Sequence, residues 1–148
     1  MEIVEYSDAL KEPLFGFTDK CFTELGKTFD PEGRHSFYKD IGNEFLAFWC
    51  LMSDGKVTGS AGIKPFDEET AELKAMYLSP ELRGKGLGFR LLDTAVKYAE
   101  AKGYSRIVLD SMASYEDALR LYSKYGFREI ERYNDNTNAQ VFMEYRPG

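Results

Sequence analysis

A glycine-rich turn between a predicted strand and a predicted helix is the feature that most constrains this chain. Residues 78–88 read LSPELRGKGLG, with a proline that ends the strand and glycines at 84, 86 and 88, where the helix begins. Glycines let backbone N–H groups turn inward, and a helix N-terminus adds the positive end of its dipole. Such a turn is typical of a phosphate or pyrophosphate site. The alternative interpretation is a surface loop in which Arg83 and Lys85 are simply solvated.

Two familiar nucleotide-binding patterns are absent from this turn. A P-loop places four residues between its first glycine and a Gly-Lys-Ser/Thr sequence, and residues 78–88 lack that arrangement. A dinucleotide fingerprint needs Gly-x-Gly-x-x-Gly, whereas Gly84, Gly86 and Gly88 are evenly spaced, so the third glycine is misplaced. Another kind of nucleotide-binding protein that uses the loop alone is therefore disfavoured.

The hydrophobic periodicity predicts an alternation of strands and helices. Strands are predicted over residues 2–6, 45–52, 57–66, 70–78, 106–110, 127–131 and 140–145, and helices over residues 8–27, 36–41, 86–102 and 115–125. Pro13 and Gly16 weaken the first helix. The residues Ser-Asp-Gly-Lys at 53–56 predict a hairpin turn. This order indicates a mixed α/β or α+β sheet with helices on its faces.

The length, the charge and the cysteines of the chain limit its domain number and the kinds of partner it can bind. Its 148 residues fit one domain, which we take as 1–148. A formal charge of −6, from 19 basic and 25 acidic residues, disfavours nucleic acid and membrane surfaces as partners. The N-terminal residues lack the features of a signal peptide, so we expect a cytoplasmic protein. Cys21 and Cys50 are too far apart for a zinc knuckle or a redox pair, and no metal site is expected.

Two motifs in the second half of the chain resemble those of the GNAT N-acetyltransferases. The hexapeptide RGKGLG at 83–88 is similar to the acetyl-CoA pyrophosphate loop of that family, Gln/Arg-x-x-Gly-x-Gly/Ala. The decapeptide ALRLYSKYGF at 118–127 is similar to the second family motif, Ala-x-x-Leu-Tyr-x-x-x-Gly-Phe. The resemblance covers residues 71–127. It implies a mostly antiparallel sheet of six to seven strands, splayed between the strand ending near Leu78 and the strand at 106–110.

The resemblance also implies which residues bind the acyl-CoA cosubstrate. Main-chain groups of the strand would pair with the pantetheine arm, with an amide at Leu78 facing the thioester carbonyl, and the glycine turn would hold the pyrophosphate. Tyr115 stands where many family members have an asparagine that contacts the cofactor arm. The cofactor-binding residues expected are Met76, Tyr77, Leu78, Arg83, Gly84, Lys85, Gly86, Leu87, Gly88, Phe89, Tyr115, Ala118 and Lys124.

Two residues are expected to move protons. Family members place a tyrosine at the position of Tyr122, whose hydroxyl would protonate the departing thiolate. Core packing is the alternative role of this tyrosine. Glu72 is the candidate general base for the amine, with Asp110 and Glu44 as weaker candidates. Strict period-two alternation places Glu72 on the same sheet face as Met76 and Leu78. A solvated carboxylate at a strand start is the alternative for Glu72.

The resemblance therefore implies an N-acetyltransferase that moves the acetyl group of acetyl-CoA directly to a primary amine within a ternary complex. Residues 1–66 would form the acceptor-side half and residues 67–148 the acyl-CoA-binding half. The alternative is a non-catalytic acyl-CoA-binding or sensing module. The acceptor, a small molecule or a peptide, is not named by any motif, and the resemblance is compatible with a homodimer.

Overall fold

The computed structural model describes residues 1–148 and contains a single seven-stranded sheet. Its strands lie in the order β1-β2-β3-β4-β5-β7-β6, and every neighbouring pair is antiparallel except β4–β5, which is parallel. The strands are β1 Glu2–Glu5, β2 Ala47–Ser53, β3 Lys56–Pro65, β4 Thr70–Leu78, β5 Arg106–Ser111, β6 Arg128–Ile130 and β7 Val141–Tyr145. The predicted mixed, mostly antiparallel sheet is confirmed.

Helices cover both faces of this sheet. They are α1 Lys11–Glu24, α2 Ile41–Glu44, α3 Leu87–Ala101 and α4 Glu116–Tyr125, with 3-10 turns at Asp8–Leu10, Ser36–Asp40 and Pro80–Leu82. Alternate side chains of β2 show the two layers: Phe48 and Cys50 pack with α1, and Trp49 packs with α3. No helix is both long enough and apolar enough to cross a membrane.

The first helix is continuous but shorter than the sequence pattern predicted. Pro13 lies in the first turn, where its missing N–H has no acceptor within the helix, and Gly16 does not interrupt the helix. The helix ends at Glu24 rather than at Lys27 because Gly26 adopts φ 74° and the Lys27 N–H donates to the Phe22 carbonyl at 2.7 Å. These are features of a Schellman cap, which fixes the backbone of Lys27 at the helix end.

The two central strands separate after a short paired stretch. β4 and β5 pair only at Thr70, Ala71 and Glu72 of β4, and β5 then continues alongside β7. The edge of β4 that faces β5 is therefore unpaired over residues 73–78, while its other edge stays paired with β3. This is the predicted splay of the sheet, and it opens a cleft between the two strands.

A β-bulge at Ala75 corrects one prediction about the site. Ala75 has φ 57°, and the pairing of β4 with β3 shifts between Lys74 and Tyr77. The Ser60 hydroxyl donates to the Ala75 carbonyl at 2.6 Å. Because the bulge inserts one residue, it reverses the alternation of side chains. The prediction that Glu72 shares a face with Met76 and Leu78 is therefore wrong. Glu72 lies on the α1 side of the sheet, and the other two side chains lie on the α3 side.

The buried carboxylate of Glu144 on β7 should make the stability of the protein depend on pH in the acid range. Burial alone would raise the pKa of Glu144. Together, the hydrogen bonds from Arg106 and Arg128 and the charge of Arg146 exceed that effect and lower the pKa from 4.5 to about 2. The ionised Glu144 therefore makes its full contribution to the free energy of unfolding above pH 4.5, and this contribution is lost as the pH falls toward 2. We expect urea unfolding of the wild type to lose about 3 kcal/mol over that range through this group. Glu144→Gln should remove that acid dependence, whereas Glu129→Gln, at an exposed position, should retain it. If the unfolding free energies of Glu144→Gln and wild type fell in parallel with pH, the assignment would be contradicted.

Candidate active site

A cleft of about 1980 Å³ opens where β4 and β5 separate. Its walls come from the end of α1 and the following loop, from β4, from the glycine-rich turn, from α4 and from the loop before β7. The cleft is lined by both expected catalytic residues, Tyr122 and Glu72. It is also lined by these expected cofactor-binding residues: Met76, Tyr77, Leu78, Arg83, Gly84, Gly86, Gly88, Phe89, Tyr115, Ala118 and Lys124. Lys85 and Leu87 are not in the lining.

The glycine-rich turn has the geometry that an anion site requires. Gly84 and Gly86 both adopt φ 78° and line the cleft, and a Cβ built on either would stand in open space beyond its chain neighbours. Gly86 is the N-cap of α3, and no side chain caps this helix. The first N–H groups of α3 are therefore available to a ligand.

Gly88 has a packing role as well. A Cβ on Gly88 would approach the Leu121 side chain to 3.1 Å. The glycine thus allows the first turn of α3 to lie directly against α4. Leu87 is buried beside Leu91 and Leu82, so its side chain holds the turn against the hydrophobic core.

The unpaired edge of β4 presents main-chain groups to the cleft. The Ser79 N–H donates to the Thr58 carbonyl at 2.9 Å on the β3 side. Because successive N–H groups of an extended strand point to opposite edges, the Leu78 N–H points toward the cleft. An extended chain with its own amides, such as a pantetheine arm, fits along an edge of this kind.

Tyr122 of α4 combines a packed ring with a phenol at the cleft. The residue is 6% exposed, and its ring lies 6.0 Å from the Phe127 ring, centroid to centroid. No protein group hydrogen-bonds to the hydroxyl. Burial, with a smaller contribution from the negative charge of Asp110, raises the pKa of Tyr122 well above its ordinary value. The phenol therefore stays protonated at neutral pH and can act as a proton donor.

Glu72 lies in a hydrogen-bonded network that the sequence did not reveal. The Tyr133 hydroxyl donates to the Glu72 carboxylate at 2.6 Å, and burial together with Glu72 raises the pKa of Tyr133. Lys74 Nζ lies 3.6 Å from Glu72 Oε2 and 3.3 Å from Asp110 Oδ2. Asn134 Nδ2 donates to the same Asp110 oxygen at 2.6 Å. The two carboxylates are thus fixed in place beside one lysine.

The two weaker candidates for the general base and the two cysteines differ in their access to the cleft and in their ionisation. Asp110 lines the cleft, but Glu44 does not and instead lies 3.5 Å from Lys64. Burial raises the pKa of Cys21 to about 11 and that of Cys50 to about 12, so neither thiol is ionised at neutral pH. The chain therefore offers no cysteine nucleophile of ordinary reactivity.

Tyr115 occupies the N-cap position of α4, and its hydroxyl is buried without a hydrogen-bond partner. Burial raises the pKa of this phenol, which keeps it protonated. A buried hydroxyl without a partner is costly, and it is available to a polar group of a ligand. Lys124, also on α4, is exposed at the rim of the cleft.

The sequence model of the acetyltransferase (GNAT) family matches residues 11–127. The uncharacterized N-acetyltransferase YjgM of Escherichia coli is 32% identical over 121 residues, which cover 79% of this chain and 70% of YjgM.

Solved structures share the fold. An acetyltransferase of the GNAT family from Staphylococcus aureus superposes with a TM-score of 0.90 at 23% identity and covers 98% of both chains. The protein yncA of Salmonella typhimurium, solved with its cofactor acetyl-CoA, superposes with a TM-score of 0.75 at 20% identity, over 99% of this chain and 93% of that one.

Proposed function

Because the chain belongs to the GNAT family of acetyltransferases, we propose that it transfers the acetyl group of acetyl-CoA to a primary amine of a small molecule or a peptide. The transfer is direct and takes place in a ternary complex. One observation carries the proposal: the open glycine turn, the free edge of β4 and the Tyr122 hydroxyl all meet in one cleft.

The 67–148 half holds the cosubstrate. Backbone N–H groups from Arg83 to Gly88 bind the pyrophosphate, and the exposed guanidinium of Arg83, whose contact with Asp117 is a loose 3.6 Å, adds positive charge. The edge of β4 pairs with the pantetheine arm, and the Leu78 N–H acts as a donor to the thioester oxygen. Acetyl-CoA supplies the acetyl group as a thioester, whose carbonyl carbon is open to attack by an amine.

Two side chains on opposite faces of the sheet handle the protons. Tyr122 packs on the α3 side and donates its hydroxyl proton to the departing sulfur. Glu72 lies on the α1 side and accepts a proton from the amine, directly or through water. This division lets the acceptor enter from the 1–66 half, opposite the helix that carries the acid.

Glu72→Gln tests the base assignment. The variant keeps the shape of the side chain but removes the proton acceptor, so we expect kcat/KM for an amine panel, measured by release of CoA thiol, to fall about tenfold. The loss shrinks as pH rises, because more of the amine is then free without a base. Acetyl-CoA affinity stays unchanged.

Asp110→Asn is the matched control for Glu72→Gln. It neutralises the other carboxylate of the same network, and we expect a smaller loss in kcat/KM. A larger loss for Asp110→Asn, or a Glu72→Gln defect that does not change with pH, would assign the base elsewhere. Absence of amine-dependent thiol release from the wild type with every amine would count against transfer itself.

A further inference from the structure

Lys27 places an amine of this chain inside its own cleft. The residue follows α1, and its backbone is fixed by the Schellman cap that closes the helix. From there Lys27 lines the cleft, with Nζ 4.2 Å from the ring centre of Phe22, 5.8 Å from that of Tyr77 and 5.6 Å from that of Tyr115. Tyr77 belongs to β4 and Tyr115 begins α4, so the amine lies between two walls of the cleft.

The surroundings of this amine differ from those of an ordinary surface lysine. Lys27 makes no salt bridge in the structure, and the faces of three aromatic rings replace a counterion. Burial first, and then the positive charge of Arg34, lower the pKa of Lys27, whereas the negative charge of Asp110 acts in the opposite direction. A larger fraction of this amine than of an exposed lysine is therefore neutral and able to attack a carbonyl.

We propose that Lys27 is a self-acetylation site, whose amine takes the place of the acceptor when acetyl-CoA is bound and no other amine is present. This inference rests on the proposed function, because it uses the same cosubstrate site and the same proton donor. Lys27, Asp110 and Tyr122 all line the cleft, so the amine, the carboxylate and the phenol border the same space. The negative charge of Asp110 raises the pKa of Tyr122 and opposes the lowering of the pKa of Lys27.

The chemical step balances without any further reactant. The Lys27 ammonium first releases a proton to solvent, and the neutral Nζ then forms a bond to the acetyl carbonyl carbon while the carbon–sulfur bond breaks. The sulfur takes the proton of the Tyr122 hydroxyl, and the proton lost by the new amide nitrogen restores that hydroxyl through water. The products are one acetylated lysine and one CoA thiol. The modified side chain carries no charge and remains compatible with the aromatic rings around it.

Mass spectrometry of the intact protein and of its peptides tests this inference. Wild-type protein incubated with acetyl-CoA alone should gain one acetyl group, and the Lys27 peptide should be modified about tenfold faster than those of Lys20, on the exposed side of α1, and Lys124, at the cleft rim. The rate per molecule should not depend on protein concentration, because the reaction is intramolecular. Lys27→Arg should abolish the modification, and Tyr122→Phe should slow it about tenfold or more.

Calorimetric titration of acetyl-CoA into the same samples separates the possible failures. If the wild type binds acetyl-CoA but acetyl appears on exposed lysines as fast as on Lys27, the inference is wrong and the proposed function stands. A rate that rises with protein concentration also overturns it, because the reaction is then between molecules. If the wild type does not bind acetyl-CoA, the proposed function fails, and the inference fails with it.

Discussion

Tyr122→Phe is expected to lower kcat about 100-fold and to leave the affinity for acetyl-CoA unchanged. The ring contributes to the apolar cluster that joins α3, α4 and the sheet, and phenylalanine keeps that packing. Only the hydroxyl is lost, and it has no hydrogen bond with another protein group whose loss would disturb the fold. The defect should therefore appear in steady-state thiol release with saturating acetyl-CoA and amine, and not in thermal stability.

Tyr125→Phe is the matched control on the same helix. The Tyr125 hydroxyl donates to Asp93 at 2.7 Å and does not line the cleft. Removing it should cost about 1 kcal/mol of stability and leave kcat unchanged. If both variants lose activity alike, the effect of Tyr122→Phe comes from packing and not from proton transfer.

The raised pKa of Tyr122 fixes the direction of the pH dependence. The phenol stays protonated beyond the ordinary value of 10.0 because burial and Asp110 oppose its ionisation. Wild-type kcat should therefore show no alkaline decline from this group below pH 10.0. A decline that is present in the wild type and absent from Tyr122→Phe would show that the phenol ionises in that range.

Gly86→Asp should weaken acetyl-CoA binding about 100-fold, as measured by calorimetry. Gly86 has φ 78° at the start of α3, and its missing side chain leaves open the space in front of the turn. An aspartate there would fill part of that space with a carboxylate, which repels a pyrophosphate. Positive φ by itself costs an aspartate about 1 kcal/mol, so the fold should survive.

Gly55→Asp separates backbone strain from ligand repulsion. Gly55 lies in the β2–β3 turn with φ 76°, its built Cβ also meets nothing within 4 Å, and it does not line the cleft. The two substitutions should therefore destabilise the protein alike in urea, and only Gly86→Asp should lose acetyl-CoA. Equal affinities for both variants would mean that the glycine turn does not hold the pyrophosphate.

Local features of the fold were predictable because they depend on residues close in sequence. The glycine turn and the helix after it follow from a proline and glycines within a few positions. The hairpin turn is another such case, since Asp54 and Gly55 both adopt the positive φ that a tight hairpin requires. The apolar face of α3 was likewise visible as a helical period, and its members Leu91, Leu92 and Val96 are fully buried.

The face occupied by Glu72 was predicted wrongly because the alternation is broken by a distant contact. Ala75 gives no sign in the sequence that it takes φ 57°, and the hydroxyl that bonds to it belongs to Ser60 on the neighbouring strand. A simple period of two cannot anticipate a bulge of this kind. The structure moves Glu72 to the α1 side, which is the side of the proposed acceptor half.

Contacts between segments far apart in the chain could not be predicted from the sequence either. Tyr133 and Glu72 are 61 positions apart, and no motif in the sequence connects them. Lys27 was assigned to the end of a helix, and nothing in its neighbourhood in sequence connects it to Tyr77 or Tyr115. Such partners follow only from the way the loops fold over the separated strands.

Calorimetric titration of acetyl-CoA into the wild-type protein and Tyr122→Phe, with thiol release followed in the same samples, tests the central claim most directly. The site described here predicts micromolar binding by both proteins and slower thiol release by the variant. Binding with equal release by both would leave the cleft as a CoA site but remove Tyr122 as the acid. No binding by the wild type would contradict the assignment of the cleft to acetyl-CoA.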